Sequence, residues 1–479
     1  MRRQSNGAER KCTKMCEENR SFAKRQLDLE KQGLGNYAAL LYWQARRQPQ
    51  KLALVIDDEE LTYGELWHLV VPMALEASSL GVRGDVLVEA EDFLAQLTSF
   101  LALQAVGARP ILLHHGLQAQ EVRAILTENS LQGIWRCLQG GARVFEPSGL
   151  LERPHEEPDI LGVLSSGSMG TPKVMYRTYA SWAGFFPVQD EIFHVDADAV
   201  LFLQGSLSFT GNMNSWLSVL YEGGTVVTSR LTRCHVWEEL LRRHQVNVLY
   251  IVPTKLQLLS RAMAVPYVGL RTLFTGSQLL SPAMLRRLQQ IFPAVTILLY
   301  YGASELNYIT YAVCENPDRD SSNLGRPFPG IGVSVGDDGL IYVDTPYHVS
   351  GAKIPFTVRD TGYLNEEGEL IFGGRRAAWI NKGGVKLSTI RLELALKALP
   401  GVADAVVLPV RDSLRGDTAA AFLVAEEGSS EQQIRQAVRH ALKPVEVPDK
   451  MVFLPQIPLN DRGKVDRPAL KRLFGAEKP

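Results

Sequence analysis

The chain has 479 residues, of which 46% are apolar and 22% charged, a composition typical of a globular protein with several domains. Lys and Arg (51) nearly balance Asp and Glu (52), so the overall charge gives no support for nucleic acid or an anionic membrane surface as a partner. No apolar run approaches the length of a transmembrane helix, and five cysteines, an odd number, favour a reducing, cytoplasmic compartment over a disulfide framework.

From the N-terminus, residues 1–35 are predicted to form a basic, polar tail without a secretory signal. The chain then alternates helical and β-rich stretches. "HVWEELLRRHQ" (235–245) has helical spacing, and "VNVLYIV" after it is typical of a buried strand. "SPAMLRRLQQIF" (281–292) begins with a Ser N-cap and a Pro in the first turn, and the strand "VTILLYYG" follows. This rhythm predicts an α/β fold with largely parallel sheets.

The composition changes at "GELIFGGRRAAWINKGG" (368–384), which is rich in glycine and charge. A helix, two strands and another helix are predicted after it, which together make a compact α+β unit of roughly 100 residues. We therefore expect four parts: the basic tail 1–35, an N-terminal domain 36–374, a hinge 375–378 and a C-terminal domain 379–479.

"SSGSMGTPK" (165–173) is a Gly/Ser loop that ends in a lysine. Backbone N–H groups and hydroxyls in such a loop suit phosphate oxygens, and Lys173 adds a positive charge. Pro172 and Val174 exclude a Walker A loop, because that motif needs Gly and Ser or Thr at these positions. Taken alone, the segment fits an ordinary surface turn equally well.

Other motifs along the chain change that assessment. In order they are "LTYGEL" (61–66), "SSGSMGTPK" (165–173), "YGASE" (301–305), "RDTGYLNEEGELIFGGR" (359–375), "NKGGVKL" (381–387) and "PLNDRGKVDR" (458–467). Their order and spacing resemble the core motifs of the adenylate-forming superfamily, over about residues 36–475. That superfamily includes acyl- and aryl-CoA synthetases, nonribosomal peptide synthetase adenylation domains and luciferases.

The resemblance implies a large N-terminal domain of layered sheets plus a barrel, with a small, mobile C-terminal domain above it. It also implies two reactions. A small carboxylic acid reacts with ATP, in the presence of Mg²⁺, to give an acyl adenylate and pyrophosphate. A thiol, from coenzyme A or from the phosphopantetheine of a separate acyl carrier protein, then displaces AMP and forms a thioester. Only 12 residues follow Arg467, so we expect any carrier protein to be a separate chain.

The same resemblance assigns the ATP site. Glu305 matches the glutamate that binds Mg²⁺, and one carboxylate suffices for a cation that also has phosphate ligands. Met169 stands where Thr or Ser is usual. The residues that match the phosphate loop are Ser165, Ser166, Gly167, Ser168, Gly170, Thr171 and Lys173. Those that match the rest of the nucleotide site are Gly276, Tyr301, Gly302, Ser304, Asp360 and Arg375.

Asp360 matches the aspartate that binds both ribose hydroxyls, and one carboxylate can accept from two vicinal hydroxyls. The superfamily usually has Thr-Gly before this aspartate, whereas this chain has Val358-Arg359. Arg375 matches an arginine that contacts ribose and AMP, and Tyr301 an aromatic residue that packs on adenine.

Three further matches lie beyond residue 375. Lys464 in "GKVDR" matches the lysine that contacts the attacking carboxylate and the α-phosphate, where a positive charge stabilises the transition state. Gly383 and Gly384 match the stretch that lines the tunnel for the thiol, since glycine lets backbone approach a narrow ligand. Ala377 stands at the hinge, where Asp or Lys is usual.

By the same matching, the acid pocket is formed by Phe209, Thr210, Gly211, Asn214, Thr275, Tyr300 and Tyr308. Amino-acid-activating members have Asp after the aromatic residue to pair with the substrate ammonium. Here Thr210 follows, and a buried, unpaired ammonium is costly, so an ordinary α-amino acid is disfavoured. The bulky Tyr300 favours a short or compact acid, aryl and hydroxylated acids included, over a long fatty chain. Core packing explains Tyr300 and Tyr308 about as well.

Two other functions stay open at this point. The chain could be a stand-alone adenylation enzyme that loads a carrier protein rather than CoA. It could also be a degenerate homologue that binds nucleotide without catalysis, as the departures at Met169, Val358-Arg359 and Ala377 suggest. Retention of Lys173, Glu305, Asp360, Arg375 and Lys464 argues against that second alternative.

Overall fold

The computed structural model describes residues 27–138, 141–165, 171–375, 379–382, 385–412, 416–460 and 465–476. Residues 1–26 of the predicted tail lie outside the described residues. Residues 27–32 are helical, and Lys31 among them is buried, with its Nζ 3.0 Å from Asp28 and 3.7 Å from Glu222. No helix in the described ranges is long and apolar enough to span a membrane.

One sheet forms the centre of the N-terminal part, and its inner strands run parallel. In spatial order it contains β15 (Arg326–Pro327), β14 (Asn307–Val313), β13 (Thr296–Ala303), β12 (Thr272–Thr275), β11 (Val248–Tyr250), β9 (Val200–Leu203), β10 (Thr225–Thr228), β1 (Leu52–Ile56) and β2 (Glu59–Thr62). β14, β15 and β2 are antiparallel additions at the two edges. The inner strands are apolar because helices cover the sheet on its faces.

A second sheet, formed by the strands between β2 and β9 in the chain, has the same plan. Its spatial order is β6 (Arg143–Pro147), β5 (Gly133–Cys137), β3 (Asp85–Glu89), β4 (Arg109–Leu112), β7 (Asp159–Leu164) and β8 (Val174–Thr178). The inner four strands are parallel, and β6 and β8 are antiparallel edges. The β7–β8 hairpin holds the Gly/Ser loop at its tip.

The next segment, where the resemblance implies a barrel, is paired as two hairpins. They are β16 (Gly332–Val335) with β17 (Ile341–Asp344), and β18 (Asp360–Leu364) with β19 (Leu370–Arg375). A bridge between Leu340 and Thr361 links the two hairpins.

The C-terminal part begins with the hairpin β20 (Trp379–Lys382) and β21 (Val385–Ser388). Its sheet has β23 (Gly416–Ala425) between β22 (Val402–Asp412) and β24 (Lys450–Phe453). Buried apolar residues from Ile380 to Val438 form a cluster of their own, distinct from the large cluster that runs from Tyr37 to Leu370.

The helices connect these strands. They are α1 (Tyr37–Arg47), α2 (Tyr63–Ser79), α3 (Phe93–Ala105), α4 (Ala119–Glu128), α5 (Ala180–Ala183), α6 (Phe186–Phe193), α7 (Thr210–Glu222), α8 (Cys234–Arg243), α9 (Pro253–Ala262), α10 (Pro282–Ile291), α11 (Thr389–Lys397), α12 (Glu431–Ala441) and α13 (Arg467–Ala476). The helices predicted at 235–245 and 281–292 are α8 and α10. The predicted fold class, a large α/β N-terminal domain and a smaller α+β C-terminal domain, is confirmed. The domain limits at 35, 374 and 378 stay predictions.

Candidate active site

A cavity of about 190 Å³ lies beside the start of α7 and the turn between β13 and β14. It gathers residues that are far apart in the chain. Of the predicted site residues, those that line it are Ser165, Phe209, Thr210, Gly211, Asn214, Tyr300, Gly302, Ser304, Glu305, Tyr308 and Asp360. They belong to motifs for the phosphates, the ribose and the acid, which the fold therefore brings to one place.

The topology explains this position. β12 and β13 are neighbouring parallel strands, so their carboxyl ends lie side by side at the same end of the sheet. Ligands of α/β folds usually bind just beyond the carboxyl ends of the strands. α7 begins at the same edge with Thr210. Its first backbone N–H groups and its dipole favour an anion there.

The Gly/Ser loop is closed at its base. The Ser165 backbone N–H donates to the Lys173 carbonyl (2.9 Å), and the Lys173 N–H donates to Ser165 Oγ (2.9 Å). Thr171 Oγ1 donates to Glu128 at 2.8 Å, so its hydroxyl is held by α4 rather than turned to the cavity. Lys173 is exposed. Ser166, Gly167, Ser168, Met169 and Gly170 lie outside the described residues, so their predicted phosphate contacts stay predictions.

Glu305 lies in the β13–β14 turn, and the buried Arg177 side chain stabilises this turn by hydrogen bonds to backbone carbonyls. The Arg177 guanidinium is fully buried and donates to the carbonyls of Ser304 (2.7 Å) and Tyr347 (3.2 Å). Burial lowers the pKa of Arg177 to about 10, although the charge of Glu305 acts in the opposite direction. Thr210 and Ser304 share a hydroxyl hydrogen bond (3.0 Å), which ties the turn to the start of α7. Glu305 therefore has a defined place at the cavity.

Asp360 is buried at the start of β18 and accepts a hydrogen bond from the Tyr301 hydroxyl (2.9 Å). Asp360 and Arg375 are direct partners in the β18–β19 ladder, so the two predicted ribose residues are neighbours. Arg359, before the aspartate, has φ +64°. This left-handed backbone is the conformation that glycine adopts without strain, and glycine is what the resembled motif has here.

The predicted acid pocket has a wall of tyrosines. Tyr250, Tyr300 and Tyr308 are buried, the hydroxyls of Tyr250 and Tyr300 are 3.1 Å apart, and the rings of Tyr300 and Tyr308 are 4.3 Å apart. Burial raises the pKa of Tyr300 to about 12 and raises the pKa values of Tyr250 and Tyr308 well above the usual value, so all three hydroxyls stay neutral. The wall is apolar in its rings and polar at its hydroxyls.

Some predicted residues are near the cavity without lining it. Thr275 is fully buried and its hydroxyl donates to the Ile251 carbonyl (2.7 Å). Gly276 packs against the Tyr300 ring, and Tyr301 reaches the site through Asp360. The backbone alone is described for Arg375. Ala377, Gly383, Gly384 and Lys464 lie outside the described residues.

Sequence reasoning missed several residues that shape the site. They include Arg177, Tyr250, Ser277 and Asn307. Arg177 lies four positions after Lys173, and Asn307 lies two positions after Glu305. Closeness to the motifs is therefore the signal that could have found them. Tyr250 has no such signal, because it reaches the site across the sheet.

A second cavity, of about 260 Å³, lies on the other side of Phe209, which lines both. Lys255 lies there and donates to the carbonyl of Gln204 (2.9 Å) and to its side-chain oxygen. Burial lowers the pKa of Lys255 to about 8. His114, whose Nδ1 is 3.1 Å from Ser208 Oγ, and Asn460 of the C-terminal part complete its polar wall.

Comparison with known proteins agrees with this arrangement. The AMP-binding enzyme family matches residues 150–375, and the AMP-binding enzyme C-terminal domain matches residues 391–464. An uncharacterized acyl–CoA ligase of Bacillus subtilis, YhfT, is 28% identical, covering 89% of this chain and 96% of that protein. The vibriobactin-specific 2,3-dihydroxybenzoate-AMP ligase of Vibrio cholerae is 24% identical over 91% of this chain and 96% of that protein. The structure of o-succinylbenzoate CoA synthetase from Bacillus subtilis, in complex with ATP and magnesium, has a TM-score of 0.76 at 20% identity and covers 90% and 99% of the two chains.

The fold and the cavity thus define an adenylate-forming enzyme, one that joins an acid to a thiol with release of AMP. Both parts of the chain are matched in the expected order. The chain belongs to the AMP-binding enzyme family of the adenylate-forming superfamily, and the resemblance predicted from the motifs is confirmed.

Proposed function

We propose that this protein activates a small carboxylic acid with ATP and transfers the acyl group to coenzyme A. The observation that carries the proposal is the single cavity that brings Glu305, Asp360 and the start of α7 together with the acid-pocket residues. A nucleotide, a metal-bound phosphate and an acid would meet there.

In the first step a carboxylate oxygen attacks the α-phosphorus of ATP, the bond to the bridging oxygen breaks, and pyrophosphate leaves. Asp360 would accept hydrogen bonds from the ribose hydroxyls, and the N-terminus of α7 would face the substrate carboxylate. Lys464 would offset the repulsion between the two anions. In the second step the thiol sulfur attacks the acyl carbonyl, AMP leaves, and the thiol proton passes to a base or to solvent.

A magnesium ion fits this site. Glu305 is a carboxylate at the cavity, and Mg²⁺ is usually held by one or two carboxylates together with phosphate oxygens and water. No group of three or more potential metal ligands occurs in the described parts of the chain, which agrees with a metal that arrives with the nucleotide. Bound Mg²⁺ would neutralise charge on the phosphates.

The thiol would enter through the second cavity. Phe209 lines both that cavity and the acid pocket, and a residue of the C-terminal part, Asn460, borders the second cavity. Gly383 and Gly384 are predicted to line the same route. Cytoplasmic location, suggested by the cysteine content, also stays a prediction.

Loading of a carrier protein is the second candidate. Relatives of both kinds match the chain, since the Vibrio cholerae protein is an AMP ligase and YhfT is an acyl–CoA ligase by name. The two candidates share the first step and differ in the thiol.

The test is ATP–pyrophosphate exchange with a panel of aryl, short aliphatic, long-chain and amino acids. We expect exchange that depends on the acid and falls by roughly 10²–10³-fold in Lys464→Ala, the usual loss for a removed transition-state contact. Thioester formed with free CoA selects the ligase, whereas adenylate without thioester favours a carrier protein. Binding of ATP without exchange for any acid would favour the degenerate homologue.

A further inference from the structure

The acid pocket is small because protein side chains fill it. The Tyr250 hydroxyl lies so close to Gly211 of α7 that a Cβ added to this glycine would be 2.0 Å from the hydroxyl oxygen. Tyr300 likewise occupies the space beside Gly276, where a Cβ would lie 2.5 Å from its ring. The cavity that remains, about 190 Å³, is lined by the predicted nucleotide residues Glu305 and Asp360 as well as by the acid-pocket residues, so the acid has only part of that volume.

Asn307 carries a buried hydrogen-bond donor beside this cavity. The residue lines the cavity, and only 5% of it is exposed. Its Oδ1 accepts from the Tyr308 backbone N–H (3.1 Å), which can only donate, so the orientation of the amide is determined. Nδ2 then has no hydrogen-bond partner among the described residues. A buried donor without a partner costs ~1–3 kcal/mol, so a ligand that accepts from it gains affinity.

The neighbouring side chain of Asn214 is held so that it does not accept from that donor. Asn214 uses its Nδ2 on Asn307 Oδ1 (2.7 Å), and its own Oδ1 accepts from Gln189 (3.0 Å). Gln189 is bonded in turn to Asp190 (3.1 Å), which also accepts from Ser218 (2.6 Å). This buried chain holds Asn214 in place.

The backbone at Asn307 gives an independent indication. Its φ is +68°, a conformation for which glycine is the least strained residue and asparagine is tolerated. Such strained positions concentrate at functional sites. We propose that the acid activated here is short and carries a neutral hydrogen-bond acceptor, a hydroxyl or carbonyl oxygen, that binds Asn307 Nδ2. This inference rests on the proposed function.

The acceptor is neutral because burying a second carboxylate against neutral groups is costly. Arg177, the buried cation among the described lining residues, uses its terminal nitrogens on the carbonyls of Ser304 and Tyr347, and its Nε has no partner among the described residues. A second carboxylate on the acid would face the neutral amide of Asn307 and the neutral hydroxyls of Tyr300 and Tyr308.

The experiment measures kcat/KM for acid-dependent ATP–pyrophosphate exchange with matched pairs: propanoate and 2-hydroxypropanoate, butanoate and 3-hydroxybutanoate, benzoate and 2-hydroxybenzoate. Decanoate tests length. We expect the oxygenated member of at least one pair to be favoured about tenfold or more, and decanoate to be a poor substrate. In Asn307→Asp, which keeps the shape but replaces the donor, that ratio should fall toward one.

Asn307→Gly is the second variant, because glycine fits the left-handed backbone and lacks the donor as well. Tyr300→Leu should raise exchange with decanoate relative to butanoate. Equal rates within every pair, or a preference that persists in both Asn307 variants, would overturn the inference and leave the proposed function standing. Absence of exchange with every acid would overturn the proposed function, and the inference with it.

Discussion

Arg359 is the residue at which the chain departs from the resembled Thr-Gly-Asp motif, and its backbone still has the conformation of the glycine. A side chain at φ +64° is strained by roughly 1 kcal/mol relative to glycine. We therefore expect Arg359→Gly to raise the free energy of unfolding by about 1 kcal/mol, measured by urea denaturation. Arg359→Ala is the control, since alanine keeps the Cβ, and equal stability of the two variants would contradict the prediction.

Lys255 makes stability depend on pH. Its pKa of about 8 in the folded protein lies below the 10.5 of an ordinary lysine. Between these values the unfolded chain binds more protons, so the free energy of unfolding rises with pH. Between pH 8 and pH 10.5 the free energy of unfolding rises by about 3 kcal/mol, because each unit of pKa difference corresponds to ~1.4 kcal/mol.

Lys255→Met removes this dependence. We expect the variant to exceed the wild type in stability below pH 8, and the difference to shrink by up to about 3 kcal/mol as the pH rises to 10.5. Urea unfolding at pH 7.5, 9 and 10.5 measures it. Lys353→Met, which removes an exposed lysine, serves as the control. A difference that stays constant across the window would show that Lys255 is not buried as described.

At the scale of elements, α10 shows how local signals decide a helix. Ser281 is its N-cap and accepts from the Met284 N–H (3.2 Å), and Pro282 occupies the first turn. Leu285, Leu288 and Ile291 supply the buried face. Ser281→Ala should lower the free energy of unfolding by ~1 kcal/mol, the usual cost of a lost N-cap. Thermal unfolding measures this loss, with Ser281→Asp as the control because aspartate retains the cap. A loss of similar size in both variants would show that the cap is not the cause.

The same local signals made α8, β11 and β13 predictable, and in the C-terminal part α11, β22, β23 and α12. Each has a periodicity or a cap that needs no distant contact. The pairing of β18 with β19 is different. It places Asp360 opposite Arg375, and only the ladder shows that two predicted ribose residues are neighbours.

At the scale of the whole molecule, the two parts of the chain touch near the second cavity. Gln257 Nε2 of α9 donates to the Ala403 carbonyl of β22 (3.1 Å), and Asn460 borders the cavity that holds Lys255. The resemblance implies that the C-terminal domain rotates between the two steps about residues 375–378. The contacts between the two parts of the chain would then exist in only one of the two orientations of the C-terminal domain.

Ala377→Pro tests this rotation, because proline restricts φ to about −65°. We expect ATP–pyrophosphate exchange to be retained and thioester formation to fall at least about tenfold, which is ~1.4 kcal/mol of barrier. Ala377→Gly, which leaves the backbone free, should support both steps. Equal losses in exchange and thioester formation would place the effect on folding rather than on rotation.

Motif spacing and periodicity are properties of the chain, so the family, the charged residues of its motifs and several helices and strands could be predicted from the residues alone. Tyr300 also indicated a compact acid. The way in which side chains fill the pocket could not be predicted. Tyr250 presses on Gly211, Arg177 is buried beneath Glu305, and Asn307 keeps a donor that has no partner among the described residues. Each of these depends on which side chains of distant segments pack together, and packing and desolvation act between residues that are neighbours in space rather than in the chain.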